Sequence, residues 1–252
     1  MIVEIIPCLS DNYSYLIYDK VSDTVSIIDP AEFNACDVAI KKYKKLDFIL
    51  NTHHHADHVD GNLELKEKYN AKILGFKLDK NRIPGIDILL EENQKCKIGK
   101  LEFEVIFVPG HTSGHIAFFF YKEKVIFTGD TLFSLGCGRV FEGSHKDMFQ
   151  SLNKIKSLPQ NTKIYCGHEY TKSNLNFCLT YDLNNETLKK KAGDIENKLK
   201  KRMPTIPATI DEEIKTNIFL RCDDPSIKQA LNLGTSSEFE VFSKLRDLKD
   251  SF

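Results

Sequence analysis

The 252-residue sequence lacks long hydrophobic runs and has almost no excess of charge of one sign. Its longest apolar stretch, residues 116–121, is far shorter than the roughly 20 residues that a helix needs to cross a bilayer. The formal net charge is −1, so no global field attracts the chain to nucleic acid or to an anionic membrane. The sequence therefore predicts an ordinary globular protein that has neither nucleic acid nor a membrane as a partner.

Cysteine motifs are missing as well. The seven cysteines are scattered, odd in number and never spaced Cys-x-x-Cys, which predicts reduced thiols and not a disulfide frame or a structural zinc site. Residues 1–7 include an acid and no basic segment, which is typical of a first strand and not of a signal peptide. We therefore expect a cytoplasmic location.

Apolar runs of strand length alternate with helical segments in the first two-thirds of the chain. We predict helices at residues 35–44 and 63–69 and a third helix around residues 148–155. Strands with interspersed helices are typical of sheets covered by helices, which indicates an α+β or α/β core. The predicted strands are residues 24–28, 46–50, 72–76, 101–108, 115–121, 124–128 and 163–166.

The texture changes after about Tyr170, where a Lys-rich helical segment follows at residues 186–203. We predict a catalytic domain at residues 1–170 and a small, mainly helical domain at residues 171–252. Two pairs of residues have the spacing of a capping box and predict helix starts, namely Thr209 with Glu212 and Ser237 with Glu240.

A dense set of metal-type ligands follows the predicted strand 46–50. Residues 53–58 read His-His-His-Ala-Asp-His, so that His53, His55, Asp57 and His58 lie in one short loop. Imidazole and carboxylate groups are ligands that zinc, iron and manganese accept. Four such groups are more than one tetrahedral ion needs, which predicts two metal ions. Two adjacent ions can ionise a shared water near neutral pH, so the loop predicts a hydrolase.

Three more segments combine a strand, a glycine turn and a ligand. They place His111, Asp130 and His168 directly after Gly110, Gly129 and Gly167. Glycine lets the backbone turn tightly beside a metal, and a carboxylate can bridge two ions. We expect His115 to support the site by hydrogen bonding and not to bind a metal directly, and we expect no metal ligation by His54 or His145.

These motifs match the metallo-β-lactamase superfamily in order and spacing, and the chain is most similar within it to the glyoxalase II (hydroxyacylglutathione hydrolase) family. The similarity to glyoxalase II rests on residues 129–133, 136–139, 141–143, 166–170, 204–209 and 246–250. The resemblance implies an α+β fold, a four-layer αββα metallo-β-lactamase-like sandwich with its site at one edge and a small C-terminal helical domain.

The resemblance also implies roles for individual residues. One ion would be bound by His53, His55 and His111, and the other by Asp57, His58 and His168, with Asp130 bridging. Asp57 and Asp130 would therefore act in catalysis as ligands. Some members have tyrosine where this chain has Phe141, which we expect to make only an apolar contact. Glutathione contacts are implied for Arg139, Tyr170, Arg246 and Lys249.

The implied reaction is hydrolysis of an S-(2-hydroxyacyl)glutathione thioester. For S-D-lactoylglutathione the products are glutathione and D-lactate, and this is the second step of methylglyoxal detoxification. The expected cofactors are two divalent ions, with zinc preferred and iron or manganese as alternatives. The expected partner is this small-molecule substrate, and the chain is expected to be a monomer.

Three other functions remain open at this stage. One is a persulfide dioxygenase with a single iron, whose motifs look much like these. A second is a nuclease of the same superfamily, because residues 186–203 contain seven basic and three acidic residues, a net charge of +4. A third is a metal-binding regulatory module, in which the ligands would leave no place for water.

Overall fold

The computed structural model describes all residues from 1 to 252 and divides into two compact units. The first unit comprises Met1–Phe107 and Thr112–Gly129, and the second comprises Val108–His111 and Asp130–Phe252. No helix is both long enough and apolar enough to cross a membrane. The predicted domain boundary between residues 170 and 171 remains a prediction.

The first unit contains ten strands in two groups. Strands β1 to β6 form one sheet in sequence order, in which β1, β2 and β3 pair antiparallel and β3 to β6 pair parallel. Strands β7 to β10 pair antiparallel, each with the next. The strands are β1 (Ile2–Cys8), β2 (Asn12–Asp19), β3 (Thr24–Ile28), β4 (Phe48–Leu50), β5 (Lys72–Phe76), β6 (Ile88–Leu90), β7 (Lys95–Ile98), β8 (Leu101–Phe107), β9 (Ile116–Phe120) and β10 (Val125–Gly129).

Helices of the first unit connect its parallel strands. They are α1 (Phe33–Ile40), α2 (Ala56–Val59), α3 (Asn62–Tyr69) and the 3₁₀ helix Lys77–Asp79. Buried side chains of α1 and α3 pack in one apolar core with those of β1 to β5. The two groups of strands contact each other through aromatic rings, since the Tyr15 and Phe127 centroids are 5.2 Å apart. Because β3, β4 and β5 run parallel, their carboxyl ends lie at one edge, where the histidine loop begins.

The second unit is mainly helical. Its short strands pair as β11 with β12 and as β13 with β14. Its core contains stacked aromatic rings, with the Phe177 and Phe219 centroids 5.8 Å apart. The elements are β11 (Leu132–Phe133), β12 (Gly136–Cys137), α4 (His145–Lys156), β13 (Lys163–Cys166), α5 (Thr171–Tyr181), α6 (Glu186–Lys200), β14 (Ala208–Thr209), α7 (Ile210–Thr216), the 3₁₀ helix Ile218–Leu220, α8 (Pro225–Ala230) and α9 (Glu238–Asp250).

Strands β3, β5 and β13 begin and end at the predicted residues, and both predicted capping boxes are present. The predicted helix 35–44 was placed too late, because α1 begins at Phe33 and ends at Ile40. The helix predicted at 186–203 ends at Lys200, since Arg202 adopts a left-handed φ of 54°. Strand β2 was not predicted because it is buried almost throughout and so lacks an alternating pattern.

Asp37 of α1 gives a test of this packing. It is 4% exposed and accepts hydrogen bonds from Lys68 and Tyr69, and Lys41 Nζ lies 2.9 Å from its Oδ2. Burial raises the pKa of Asp37, but the bonds from Lys68, Tyr69 and Lys41 outweigh it and lower the pKa to about 2. The depressed pKa means that the ionised carboxylate stabilises the folded state above about pH 4, and that this is lost as the pH falls toward 2.

We therefore predict that Asp37→Asn lowers the free energy of unfolding by about 1–2 kcal/mol at pH 7. The difference from the wild type should shrink between pH 4 and pH 2, because the wild-type carboxylate is protonated there. Urea unfolding of both proteins at pH 7 and near pH 2 measures the effect. An equal difference at pH 7 and near pH 2 would contradict the assigned charge.

Candidate metal centre

The histidine loop of the first unit leaves β4 at the edge where the parallel strands end. Its beginning is fixed by the backbone, since Asn51 N donates to Leu74 O and Ile116 N donates to Thr52 O. The Asn51 side chain donates to His58 O at 3.0 Å and so holds the far end of the loop near its start. The segment that was predicted as one loop therefore runs from β4 into α2, and Asp57 and His58 lie in that short helix.

Asp29, the residue after β3, organises this loop. Its carboxylate accepts hydrogen bonds from Thr52 N at 2.8 Å and Thr52 Oγ1 at 2.6 Å, and its Oδ2 lies 3.1 Å from His58 Nδ1. Thr52 Oγ1 lies in turn 3.0 Å from His53 Nδ1. A partner on one ring nitrogen fixes the tautomer and leaves the other nitrogen to bind a metal. Asp29, which the sequence analysis did not single out, thus orients two of the predicted ligands.

The remaining ligands of this unit lie beside these two. His53 Nε2 is 3.2 Å from His55 Nδ1, so two imidazole nitrogens converge. Asp57 Oδ2 is 3.6 Å from His58 Nε2. The Asn12 side chain donates to Asp57 O at 3.0 Å and to its Oδ2 at 2.9 Å, which fixes the carboxylate. Asn12 is a second supporting residue that was not predicted.

The other three predicted ligands lie together in the second unit. Asp130 Oδ2 is 3.4 Å from His111 Nε2 and 3.2 Å from His168 Nε2. All three residues are at most 5% exposed. His111 Nδ1 donates to Arg139 O at 2.8 Å, so its Nε2 carries the lone pair. One carboxylate oxygen of Asp130 thus lies beside an imidazole nitrogen of each of the two histidines.

Two glycines allow this close packing. Gly129, directly before Asp130, has a φ of 47°, and a Cβ there would lie 2.4 Å from Thr52 Oγ1. A Cβ at Gly138 would lie 1.9 Å from Asp130 O. A side chain at either position would displace a residue that supports or forms the ligand sets.

The other histidines are not placed as ligands. His115 is fully buried and stacks on His53, with centroids 4.6 Å apart, and the supporting hydrogen bond expected of it stays a prediction. His145 Nε2 is 3.7 Å from Asp247 Oδ1, and His54 Nδ1 is 3.6 Å from Asp79 Oδ2.

Tyr170 and Phe141 contact the ligands of the second unit. The Tyr170 ring stacks on His168 with centroids 4.6 Å apart, and the exposed Phe141 ring lies 5.2 Å from that of His111. The neighbouring Glu169 accepts hydrogen bonds from Thr205 N at 2.8 Å and Thr205 Oγ1 at 2.7 Å. These bonds hold the segment 168–170 in place, a support that the sequence did not reveal.

Two of the three predicted cationic contacts share one carboxylate. Arg139 Nε and Arg246 Nη2 both donate to Asp250 Oδ1, at 3.1 and 2.8 Å. Arg246 is only 3% exposed and also donates to Cys137 O, whereas Lys249 Nζ donates to Ser173 Oγ at 3.0 Å. Burial, followed by the charge of Arg246, lowers the pKa of Lys249. Among these four residues the cations outnumber the carboxylate, and Arg139 and Lys249 are more exposed than Arg246, so the local charge suits an anionic ligand.

Two family models together cover nearly the whole chain. The model described as "Metallo-beta-lactamase superfamily" matches residues 11–168, and "Hydroxyacylglutathione hydrolase C-terminus" matches residues 169–252. A protein of Pelagibacter ubique named hydroxyacylglutathione hydrolase is 53% identical over 253 residues, which is 100% of both chains. The chain belongs to the hydroxyacylglutathione hydrolase family.

Solved structures confirm the predicted α+β fold class. The crystal structure of ETHE1 from Myxococcus xanthus has a TM-score of 0.69 at 23% identity and covers 98% of this chain and 90% of its own. TTHA1623 in a di-iron-bound form has a TM-score of 0.55 at 26% identity and covers 67% of this chain and 92% of its own. The metallo-β-lactamase fold and the His and Asp groups of this chain suit divalent metal ions.

We predict that no cysteine is a catalytic nucleophile. All seven are free, and burial raises the pKa of the Cys137 thiol and raises that of Cys166 to about 12. A buried neutral thiol is a poor nucleophile. Cys137→Ala and Cys166→Ala should each keep kcat within a few-fold, measured with thioester substrate. Mass spectrometric detection of an acyl group on either cysteine of the wild type would contradict this.

Proposed function

We propose that the protein hydrolyses S-(2-hydroxyacyl)glutathione thioesters to glutathione and a 2-hydroxy acid. S-D-lactoylglutathione would yield D-lactate, which places the reaction second in methylglyoxal detoxification. The observation that carries the proposal is the full-length identity of 53% to a protein named hydroxyacylglutathione hydrolase. The presence of all seven predicted metal-ligand residues in the sequence agrees with it.

We further propose two divalent metal ions. His53, His55 and His111 would bind one and Asp57, His58 and His168 the other, with Asp130 as the bridge. The donor set fits such ions: His111 donates through Nδ1, and Asp29 and Thr52 contact Nδ1 of His58 and His53, so the Nε2 atoms suit ligation. Imidazole-rich sites accept zinc, iron or manganese, and we propose zinc first.

Such ions would supply an ionised water near neutral pH and polarise the thioester carbonyl. The chain contributes orientation, because Asp29 fixes His58 and Thr52, and Asn12 fixes Asp57. The departing glutathione thiolate has a parent pKa of roughly 8.5, so no side chain need protonate it. This agrees with the buried cysteines and with the absence of a Gly-x-Ser-x-Gly motif.

For the substrate, we propose that Arg139, Arg246 and Lys249 attract the glutathione carboxylates. Tyr170 and Phe141 would contact the rest of the glutathione moiety. This role is supported by the excess of positive charge where Arg139 and Arg246 share the single carboxylate of Asp250. Arg246 would act mainly through its neighbours, since it is buried and bonded to Cys137 O.

Three of the seven basic residues in segment 186–203 have partners within the protein, which weakens the nuclease alternative. Lys191 Nζ lies 2.6 Å from the buried Glu213, Lys198 Nζ donates to Thr205 O, and Lys189 pairs with Glu186. These lysines have intramolecular partners, which favours a structural role.

We propose a monomer in the cytoplasm with residues 1–170 and 171–252 as its domains, a division that the two matched family models support.

The decisive assay compares three substrates on one metal-analysed preparation. Loss of thioester absorbance with S-D-lactoylglutathione, without oxygen uptake, is expected. Oxygen uptake with glutathione persulfide and no thioester hydrolysis would instead identify a dioxygenase, and cleavage of RNA alone would identify a nuclease. Binding of metal without any turnover would favour the regulatory module.

We predict that Asp130→Asn lowers the occupancy of both metal positions and reduces kcat by about a thousandfold or more, because one carboxylate would serve both ions. Elemental analysis and turnover measure this. Asp182→Asn is the matched control, since Asp182 is 3% exposed and is paired with Arg221. Full metal content and activity in Asp130→Asn would reject the bridging role.

We also predict that Lys249→Ala and Arg139→Ala each raise KM by roughly tenfold and change kcat much less. The glutathione carboxylates keep their charge during the reaction, so contacts to them stabilise ground and transition states almost equally. Added salt should raise the KM of the wild type more than the KM of the variants, because salt screens the charges that the variants lack. Lys215→Ala, which removes an exposed ion pair with Asp211, is the control. An unchanged KM in both variants would refute this substrate site.

A further inference from the structure

His54 lies between two proposed ligands but faces another group of residues. Its Nδ1 is 3.6 Å from Asp79 Oδ2, and its Nε2 is 3.4 Å from Arg82 Nη1. Both ring nitrogens therefore lie beside charged groups of the first unit. This cluster of His54, Asp79 and Arg82 has no part in the mechanism proposed above.

Asp79 is the fixed centre of the cluster. It is fully buried at the end of the 3₁₀ helix Lys77–Asp79, and its Oδ1 accepts hydrogen bonds from Arg82 Nε at 3.0 Å and Arg82 Nη2 at 2.5 Å. The backbone closes the same turn, because Arg82 N and Ile83 N both donate to Asp79 O. A buried carboxylate is costly without a partner, so the pair with Arg82 is tightly coupled.

A second segment closes around Asp79. Arg82 Nη2 donates to Ser113 Oγ at 2.9 Å. A Cβ at Gly114 would lie 2.0 Å from Asp79 Oδ1, so only glycine permits this approach. Residues 79–82 and 113–114 are thus packed together beside the His54 ring.

The His54 ring also lies beside two predicted ligands. Its centroid is 5.0 Å from that of His55 and 6.5 Å from that of His53, and the centroids of His53 and His55 are 4.8 Å apart. The segment is anchored before these residues at Thr52, which is bonded to Asp29, and after them by α2. A fixed His54 ring therefore limits how far the His53 and His55 rings can turn.

We propose that Asp79 and Arg82 are positioning residues that hold His54 and thereby preset the angle between the His53 and His55 imidazoles. This inference rests on the proposed metal site. The cluster of His54, Asp79 and Arg82 restrains the loop before a metal binds. Disrupting the cluster should therefore weaken metal binding by roughly 10- to 100-fold, as for other residues that support metal ligands.

The test uses Asp79→Asn, which keeps the shape of the side chain and removes its charge. Chelator competition with Co²⁺ measures affinity, and the visible spectrum of the Co²⁺-loaded protein reports ligand geometry. We expect at least tenfold weaker binding and an altered spectrum. Asp37→Asn is the matched control, because Asp37 is also buried and paired with basic residues in the same unit; it should lower stability only.

Equal losses of stability in both variants, with wild-type affinity and spectrum in both, would overturn the inference. Should Asp79→Asn fail to fold, Arg82→Lys decides by the same two readouts, since lysine keeps the charge but loses the two-pronged geometry. A wild type that binds Co²⁺ tightly but leaves S-D-lactoylglutathione intact would reject the proposed function while leaving this inference standing.

Discussion

The carboxylate of Asp29 is the constraint on which the histidine loop depends. Parallel pairing of β3 with β4 brings this residue beside Thr52, and its two oxygens hold the start of the loop through Thr52 and its end through His58. Imidazole and carboxylate groups this close would otherwise spread apart to gain hydration and entropy. The strand pairing, formed mostly by ordinary apolar residues, thus arranges these predicted ligands before any metal binds.

The second unit orients its predicted ligands through different contacts. Asp130 follows a glycine in left-handed conformation, and His111 is held by the carbonyl of Arg139. The imidazoles of His53, His58 and His111 are therefore each oriented by a partner on Nδ1 and present Nε2. Charge is concentrated nearby as well, since Arg139 and Arg246 share Asp250. This arrangement is consistent with metal binding and with attraction of an anionic thioester. The family membership supports both.

Much of the site could be predicted because its ligands are close in sequence or follow a glycine at a strand end. His53 to His58 form one motif, and the glycines before His111 and Asp130 mark the turns. The supporting residues could not be predicted in this way. Asn12 and Asp79 come from distant segments, and only the fold brings them to the loop. Strands β11, β12 and β14 have two residues each and are too short for a periodic signal.

The central claim is that two metal ions act together in thioester hydrolysis. Stepwise addition of Zn²⁺ to the metal-free protein, with the rate of S-D-lactoylglutathione hydrolysis measured at each step, tests it most directly. The account predicts that the rate continues to rise until two equivalents per chain are bound and is constant afterwards. Full activity at one equivalent, with no further gain from a second, would contradict it.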